Sequence, residues 1–238
     1  MIRNRVIRSH TVGEAGFRWR GSEVTRLEGF TDAVFAFAVT LLVVSLEVPK
    51  TFPELMQAMH GFVAFGFCFA LLANVWYQHY RYFRRYGLEN PWTVALNCAL
   101  LFFVLFYVYP LKFLFIAALS RAQFGEHDAR TLYSIFSFGF AAVSAVFLLL
   151  YQHAWQIRTE LALSAVEQLR TRRGLIDHAA MLLLGASSLL AARVLPPTWL
   201  AVAGSIYLLI PVYYTLAGMV WRRREERLLA SPEQESAD

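Results

Sequence analysis

Apolar stretches far longer than one turn of helix recur along the whole of this 238-residue chain. Six windows contain no Asp, Glu, Lys or Arg, and four of them exceed the roughly 20 residues that a helix needs to cross a ~30 Å hydrocarbon core. The other two reach that length if Asp32 or Arg193 lies at the rim of the membrane or faces protein. We therefore predict six transmembrane helices, built on the charge-free windows 33–46, 55–80, 90–111, 131–157, 178–192 and 194–221.

Proline residues set several of the predicted helix limits. Pro49 and Pro110 mark the outer ends of helices one and three, and Pro91 opens helix three. Lys112 consequently falls in the longest outer loop, together with residues 122–128. The predicted helices cover residues 24–46, 53–83, 91–110, 130–157 and 176–194, followed by a sixth helix after Pro197 that Pro211 kinks, and an amphipathic inner stretch is predicted at 160–173.

The distribution of basic residues orients this predicted bundle. Lys and Arg collect on the cytoplasmic side of membrane proteins, and placing the N-terminus inside puts 17 of the 22 basic residues on that side. Both termini are therefore predicted to be cytoplasmic. The predicted fold class is an all-α membrane protein, with a basic cytoplasmic segment at 1–23, a six-helix transmembrane domain at 24–224 and a charged cytoplasmic tail at 225–238.

Composition agrees with a membrane protein and argues against several other classes. The chain is 58% hydrophobic and only 16% charged, with mean hydropathy +0.45, whereas soluble domains are nearer one quarter charged. The net charge of +5 follows from the basic inner side, where Lys and Arg contact lipid headgroups, so we predict no nucleic-acid partner. The sequence has no Ser–His–acid constellation, glycine-rich phosphate loop, CxxC or HExxH motif, and we predict no enzyme activity, no cofactor and no metal site.

Polar side chains inside the predicted membrane helices are the candidate functional residues, because hydrocarbon makes them costly unless they are paired or hydrated. Helix one opens RLEGFTD, and the step from Arg26 to Asp32 turns an ideal helix by ~600°, which leaves the two side chains about 120° apart. Each must therefore find a partner elsewhere. At a similar depth lie Trp76 and His79 on helix two and Asn97 on helix three. We predict one buried network of Asp, His, Trp and Asn, the alternative being that His79 reaches the membrane surface.

Helix one also carries an apolar stripe further along. Phe37, Leu41 and Val44 fall at i, i+4 and i+7 and share a face, with the hydroxyl of Thr40 beside them. Periodicity alone fits a face that meets lipid, packs against protein or lines a pore, and all three interpretations stay open at this point.

Residues 26–32 resemble the RxxxFSD signature that opens the first helix in the transmembrane protein 175 family of potassium channels. Thr31 stands where the family has Ser, which keeps the hydroxyl. The rest of helix one and the six-helix layout are similar to a single family repeat, and the specific resemblance covers about the first 110 residues. The polar residues of helices two and three that match family positions are Trp76, His79 and Asn97.

The resemblance implies a potassium-selective, leak-type channel of four identical subunits, a multi-pass protein of a prokaryotic plasma (inner) membrane whose partners are potassium ions and membrane lipids. It places the pore along helix one, with a hydrophobic constriction at Phe37, Leu41 and Val44 and a selectivity ring at Thr40. Phe37 departs from the aliphatic residue usual at the narrowest ring. The polar network implied for the inner end of helix one comprises Arg26, Phe30, Thr31, Asp32, Trp76, His79 and Asn97.

Two rival functions belong to other classes. A proton-permeable channel or proton-coupled transporter would use Asp32 and His79 as a relay. A membrane scaffold without transport activity is the third possibility, since four Phe37 rings would narrow a pore. Reversal potentials in a potassium gradient and in a proton gradient distinguish the three.

Overall fold

The computed structural model describes residues 17–21, 23–44, 50–119 and 124–229. Every long element in these ranges is a helix, which confirms the all-α fold class. Two 3-10 turns, Pro197–Trp199 and Ile206–Leu208, flank the short sixth helix. The helices are α1 Arg26–Val44, α2 Phe52–Tyr86, α3 Pro91–Leu119, α4 Glu126–Gln156, α5 Ala165–Val194, α6 Ala201–Ser205 and α7 Leu209–Leu229.

Five stretches of the described residues are long and apolar enough to cross a membrane. Four of them begin with α2, α3, α4 and α5, and the fifth runs through α6 and α7 as Pro197–Leu229. The remaining predicted span is α1, which is described over 19 residues. Residues 45–46 at its predicted end, residues 1–16 of the predicted basic segment and residues 230–238 of the predicted tail lie outside the described residues.

Contacts between helix ends show that the chain runs up and down the bundle. At one end, which we call the basic end, residues 17–21 meet the end of α2, α3 begins beside the end of α4, and α5 begins beside the end of α7. At the opposite end, the late turns of α1 meet α3, and the late turns of α5 meet the beginning of α4. The first and last described residues therefore lie at the same end of the bundle, and the assignment of that end to the cytoplasm stays a prediction.

The helices divide into two packing groups. α1, α2 and α3 pack on one another, and α4 and α5 form a tight antiparallel pair that contacts α3. Small residues let α4 and α5 approach closely: a Cβ added at Gly185 would lie 3.0 Å from the Cβ of Ala141. The hydroxyls of Ser137 and Ser188 meet across this contact at 2.7 Å, so these two buried groups are satisfied within the bundle.

The structure corrects two predicted helix limits. α3 continues through Pro110 to Leu119, so Lys112 is a helical residue and not part of an outer loop. A proline removes one helical hydrogen bond, but the apolar residues on both sides of Pro110 keep their packing against the core, which includes Val108 and Leu111.

α5 begins at Ala165, eleven residues before the predicted position, so part of the predicted amphipathic stretch is its first turns. Ser164 and Glu167 form a reciprocal capping box, in which each side chain accepts a hydrogen bond from the backbone N–H of the other. This cap satisfies two donors at the start of the helix and fixes its first residue. The S-x-x-E spacing was a usable sequence signal for that start.

Pro211 lies three residues into α7, and the helix changes to a 3-10 turn at Ile206–Leu208 immediately before it. Because proline has no N–H to bond the carbonyl of Tyr207, four residues back, a regular helix is interrupted at this point. The structure thus has a 3-10 turn one turn ahead of the proline, and the kink at Pro211 itself stays a prediction.

Candidate functional site on helix α1

One face of α1 is left uncovered by the rest of the chain. Phe30 and Phe37 are each 56% exposed, and Ala33 and Thr40 are also exposed. These four residues follow the helical spacing i, i+3, i+7 and i+10 and form what we call the open face. Leu41 lies at its edge, where it is half-buried and packs against the core. The side chain of Val44 lies outside the described residues.

The opposite face of α1 holds the helix in place. Phe35, Ala38 and Leu42 are buried in the core shared with α2 and α3. Their spacing of i, i+3 and i+7 puts them on one side of the helix. The orientation of the open face is consequently fixed by apolar packing on the other side, and by the polar contacts described below.

Thr40 presents oxygen rather than hydrogen to the open face. Its hydroxyl donates a hydrogen bond to the carbonyl of Ala36 at 2.9 Å. A threonine hydroxyl has one hydrogen and two lone pairs, so this bond uses the hydrogen and leaves the lone pairs of Oγ1 directed away from the helix. Such an oxygen is suited to a cation.

Arg26 belongs to the open face and does not join the predicted polar network. It is exposed, and its side chain makes no hydrogen bond or ion pair in the part of the chain that the structure describes. Its spacing of four residues from Phe30 places it one turn ahead on the same side of the helix.

A buried chain of hydrogen bonds joins α1, α3 and α2. Asn97 donates its amide Nδ2–H to Thr31 Oγ1 at 2.9 Å, and its Oδ1 accepts from His79 Nε2 at 2.8 Å. Thr31 in turn donates to the carbonyl of Leu27 at 2.8 Å. The three residues are 0–2% exposed, so removing any one of them leaves a polar atom of its neighbour without a partner in a low-dielectric setting.

Asp32 lies outside this buried chain. Its Oδ1 accepts a hydrogen bond of 2.7 Å from the indole Nε1 of Trp76, and both residues are exposed on the single chain. The expected partners of helix one are thus present on α2 and α3, but they form two separate groups: Asp32 with Trp76, and Thr31 with Asn97 and His79. His79 is buried, so it does not reach the membrane surface.

Two further contacts hold the ends of α1 and were not predicted from the sequence. Near the last described turn, the Nζ of Lys112 donates to the carbonyl of Leu42 at 2.9 Å, and Lys112 is buried. Ahead of the first turn, the partly buried Arg20 makes an ion pair at 2.8 Å with the buried Glu167 of α5. A lysine beside Pro110 and an arginine in a basic segment carry no pattern that would have identified either contact.

The segment around Arg20 is tied to several elements at the basic end. The backbone N–H groups of Arg20 and Gly21 donate to the carbonyl of Arg84 on α2, at 3.1 and 3.2 Å. Phe17 is 2% exposed and stacks edge-on against Tyr86. Gly87, at φ +60 after the end of α2, leaves room for this approach because a Cβ there would lie 3.0 Å from the backbone of Arg20. The chain leading into α1 is therefore fixed to α2 and α5.

Comparison with known proteins connects this architecture to one family. The family described as "Endosomal/lysosomal potassium channel TMEM175" matches residues 26–108, which contain the open face and both polar groups. A protein of Marivirga tractuosa named "Potassium channel" is 34% identical over 233 residues, covering 90% of this chain and 94% of that protein. A potassium channel of Chamaesiphon minutus is 31% identical over 142 residues, covering 56% of this chain and 66% of that protein.

Solved structures give the same result for the fold. The crystal structure of the potassium channel MtTMEM175, a threonine-to-alanine variant in complex with a nanobody–MBP fusion protein, superposes with a TM-score of 0.77 at 31% identity. The match covers 91% of this chain and 99% of the solved chain. A TMEM175 homologue of Chamaesiphon minutus, at 24% identity and a TM-score of 0.54, matches in fold over 86% of this chain. The matched proteins are ion channels and not enzymes, and the chain belongs to the TMEM175 family.

Proposed function

We propose that this protein is a potassium-selective leak channel in which four copies of the chain surround a pore lined by the open face of α1. The observation that carries the proposal is the exposure of Phe37 and Thr40 on a helix whose other side is packed into the core. Family membership and the potassium-channel names of the relatives support it. The membrane is proposed to be the plasma or inner membrane, with the basic end in the cytoplasm.

The proposed constriction is apolar. Phe37 would project furthest from α1, with Leu41 and Val44 at the positions above it, and four such sets would surround the axis. A narrow apolar throat conducts only when water enters it, so the size of its side chains sets the conductance. Thr40 would add one ring of hydroxyl oxygens between these apolar layers. At this ring, potassium and sodium ions would exchange part of their hydration water for hydroxyl oxygens.

The polar groups at the inner end of α1 are proposed to act as a brace. Hydrogen bonds of 2.8–2.9 Å among Thr31, Asn97 and His79 would hold α1 against α3 and α2. The bond from Trp76 to Asp32 would hold α1 against α2 as well. Their role is to fix the rotation of α1, and through it the direction of the open face. Phe30 and Arg26 lie on that face and would surround the inner mouth of the pore.

The rival proton relay loses support from the same geometry. A relay needs groups that can both accept and release a proton. His79 bonds to Asn97, whose amide does not exchange protons in this way, and Asp32 bonds to the indole of Trp76. The hydrogen bonds of the described residues give no continuous path from Asp32 to His79.

Reconstitution of the purified protein in liposomes tests the proposal. A reversal potential that follows the potassium gradient, with weaker sodium permeation and no response to a proton gradient, is the expected result. Current that follows the proton gradient would instead establish the relay. Liposomes that pass neither potassium nor protons would indicate a scaffold. Native mass spectrometry of the same preparation should give a mass of four chains, and a stable dimer would contradict the proposed pore.

A further inference from the structure

A cavity at the basic end is lined by charged and polar side chains. It has a volume of about 610 Å³ and lies between α2, α4, α5 and α7, on the side of the bundle that does not include α1. This volume is within the range of small-molecule sites, roughly 300–1,000 Å³. The charged residues of the lining are Arg81, Arg85, Arg170, Arg173, Asp177 and Glu225.

The lining has an excess of positive charge. Glu225 forms an ion pair with Arg170, and Asp177 forms one with Arg173 at 3.4 Å. Four arginines against two carboxylates leave a net charge of +2. The planar guanidinium group donates pairs of parallel hydrogen bonds to phosphate oxygens, so the cavity is chemically suited to a phosphate group with one or two negative charges.

An apolar groove continues from this cavity toward the middle of the helix bundle. The groove has a volume of about 310 Å³ and shares Asn74, Gln78, His178 and Tyr214 with the cavity. Beyond these shared residues its lining is almost entirely apolar. Representative lining residues are Leu71, Val75, Phe136, Val143 and Ile210.

The depth of the two spaces fits one leaflet of a bilayer. Along α2, the ten residues from Arg81 back to Leu71 correspond to ~15 Å of helix. Half of a ~30 Å hydrocarbon core has the same thickness. The polar cavity is therefore placed at the level of the headgroups, and the apolar groove spans the level of the acyl chains.

We propose that the cavity and the groove form one binding site for an anionic phospholipid, with its phosphate among Arg81, Arg85 and Arg173 and an acyl chain in the groove. The continuity of the two spaces favours a lipid over a free phosphate ion, because a free ion would leave the groove unfilled. The net charge of +2 favours an anionic headgroup over a zwitterionic one. This site is separate from the open face of α1, and its occupation does not depend on potassium conduction.

Native mass spectrometry of the purified full chain tests the site by counting retained lipid molecules during titration with phosphatidylglycerol, phosphatidylcholine or inorganic phosphate. The wild type should retain phosphatidylglycerol at about tenfold lower concentration than phosphatidylcholine, a difference of about 1.4 kcal/mol. Arg81→Gln should remove this preference. Val143→Trp, which fills the groove without changing charge, should weaken retention of both lipids. Arg223→Gln is the matched control, because Arg223 is exposed near the same end and lies outside the cavity lining.

Three results would overturn the proposal. Equal retention of the two lipids by the wild type would remove the anionic preference. Retention that is unchanged in both Arg81→Gln and Val143→Trp would place the lipid elsewhere on the surface. Binding of inorganic phosphate that blocks the site at the same concentration as the lipid would reduce the site to a phosphate pocket. Val143→Trp keeps every arginine. If Arg81→Gln fails to fold, Val143→Trp therefore still tests whether the lipid occupies the groove.

Discussion

The ammonium group of Lys112 on α3 donates a 2.9 Å hydrogen bond to the carbonyl oxygen of Leu42 on α1. Leu42 lies two residues before Val44, with which the described part of α1 ends, and so lies toward the negative end of the helix dipole. The contact therefore joins a buried cation to a helix end that attracts it. Because Leu42 faces the core and the open face lies on the other side of α1, the bond helps to fix the outer part of the helix.

Lys112→Met should destabilise the protein. Methionine keeps most of the length of the side chain and removes the donor, and a hydrogen bond from a charged group contributes about 1.5–3 kcal/mol. The thermal unfolding midpoint in detergent should fall accordingly. Lys50→Met is the control, because Lys50 is exposed. A variant as stable as the wild type would show that burying the lysine costs as much as its bond contributes.

The two polar groups predict a pattern of couplings in double-mutant cycles. His79→Ala and Asn97→Ala should be strongly non-additive in the free energy of unfolding, by about 0.5–3 kcal/mol, because each removes the other's buried partner. Asp32→Ala and Trp76→Phe should also be coupled, because each removes the other's hydrogen-bond partner. The pair Asp32 and His79 should couple less than either bonded pair, because the two residues belong to different hydrogen-bond groups.

A coupling of Asp32 and His79 larger than the two bonded pairs would contradict this separation. It would place both residues in one network, as the sequence had suggested. Thermal or denaturant unfolding of the four single and three double variants in one detergent gives all the required values.

The sequence was sufficient for the features that depend on periodicity and solvation. Charge-free windows predicted the long helices, since hydrocarbon accepts few ionised groups. Asp32, His79 and Asn97 stood out because polar groups are rare at membrane depth, and all three indeed bond to other helices. The exposed positions of Phe37 and Thr40 fit the predicted stripe, whereas Leu41 turned out to lie at the edge of the open face and to touch the core.

The missed features depend on which helices become neighbours. Pro110 is a local signal for a helix end, but packing against α1 and α4 carries α3 two further turns and brings Lys112 into the core. Arg20 looked like one of many basic residues, and only the folded arrangement places it beside Glu167. Asn97 bonds Thr31 and not Asp32 because of how α1 is rotated about its axis relative to α3. A helical wheel shows which residues share a face, but not which neighbour that face meets.

Loss of the ion pair between Arg20 and Glu167 should be costly. The side chains of Arg20 and Glu167 are 15% and 4% exposed, and removing one partner of a buried pair typically costs about 3–5 kcal/mol. The backbone N–H groups of Arg18 and Ser164 still bond Glu167 after Arg20 is removed, so we expect a loss toward the lower end of this range. Arg20→Met should therefore lower the unfolding midpoint strongly. Arg18→Met is the matched control, since only the backbone N–H of Arg18 contacts Glu167 and its side chain is exposed. Equal effects of the two substitutions would remove the specific role of the pair.

Thr40→Val tests the proposed selectivity ring. Valine has nearly the same shape and lacks the oxygen, so the ratio of potassium to sodium permeability should fall while potassium flux persists. Thr215→Val is the control, because Thr215 is an exposed helical threonine on α7 that also donates to the carbonyl four residues back, at 2.8 Å. Bi-ionic reversal potentials in liposomes measure the ratio. An unchanged ratio in Thr40→Val would remove the hydroxyl from ion discrimination.

Phe37→Ala separates a pore-lining residue from a packing residue. If four Phe37 rings form the constriction, their removal widens and wets the throat, and potassium flux should rise with little loss of stability, since the ring is 56% exposed on the single chain. A ring buried between subunits would instead leave a cavity that costs about 3–5 kcal/mol, with no gain in flux. Phe102→Ala, at a 65% exposed position on α3, is the control and should leave flux unchanged. Potassium flux into liposomes and the unfolding midpoint should be measured on the same preparations, and together they distinguish a pore-lining ring from a packed one. An unchanged flux in Phe37→Ala would show that the open face does not form the constriction.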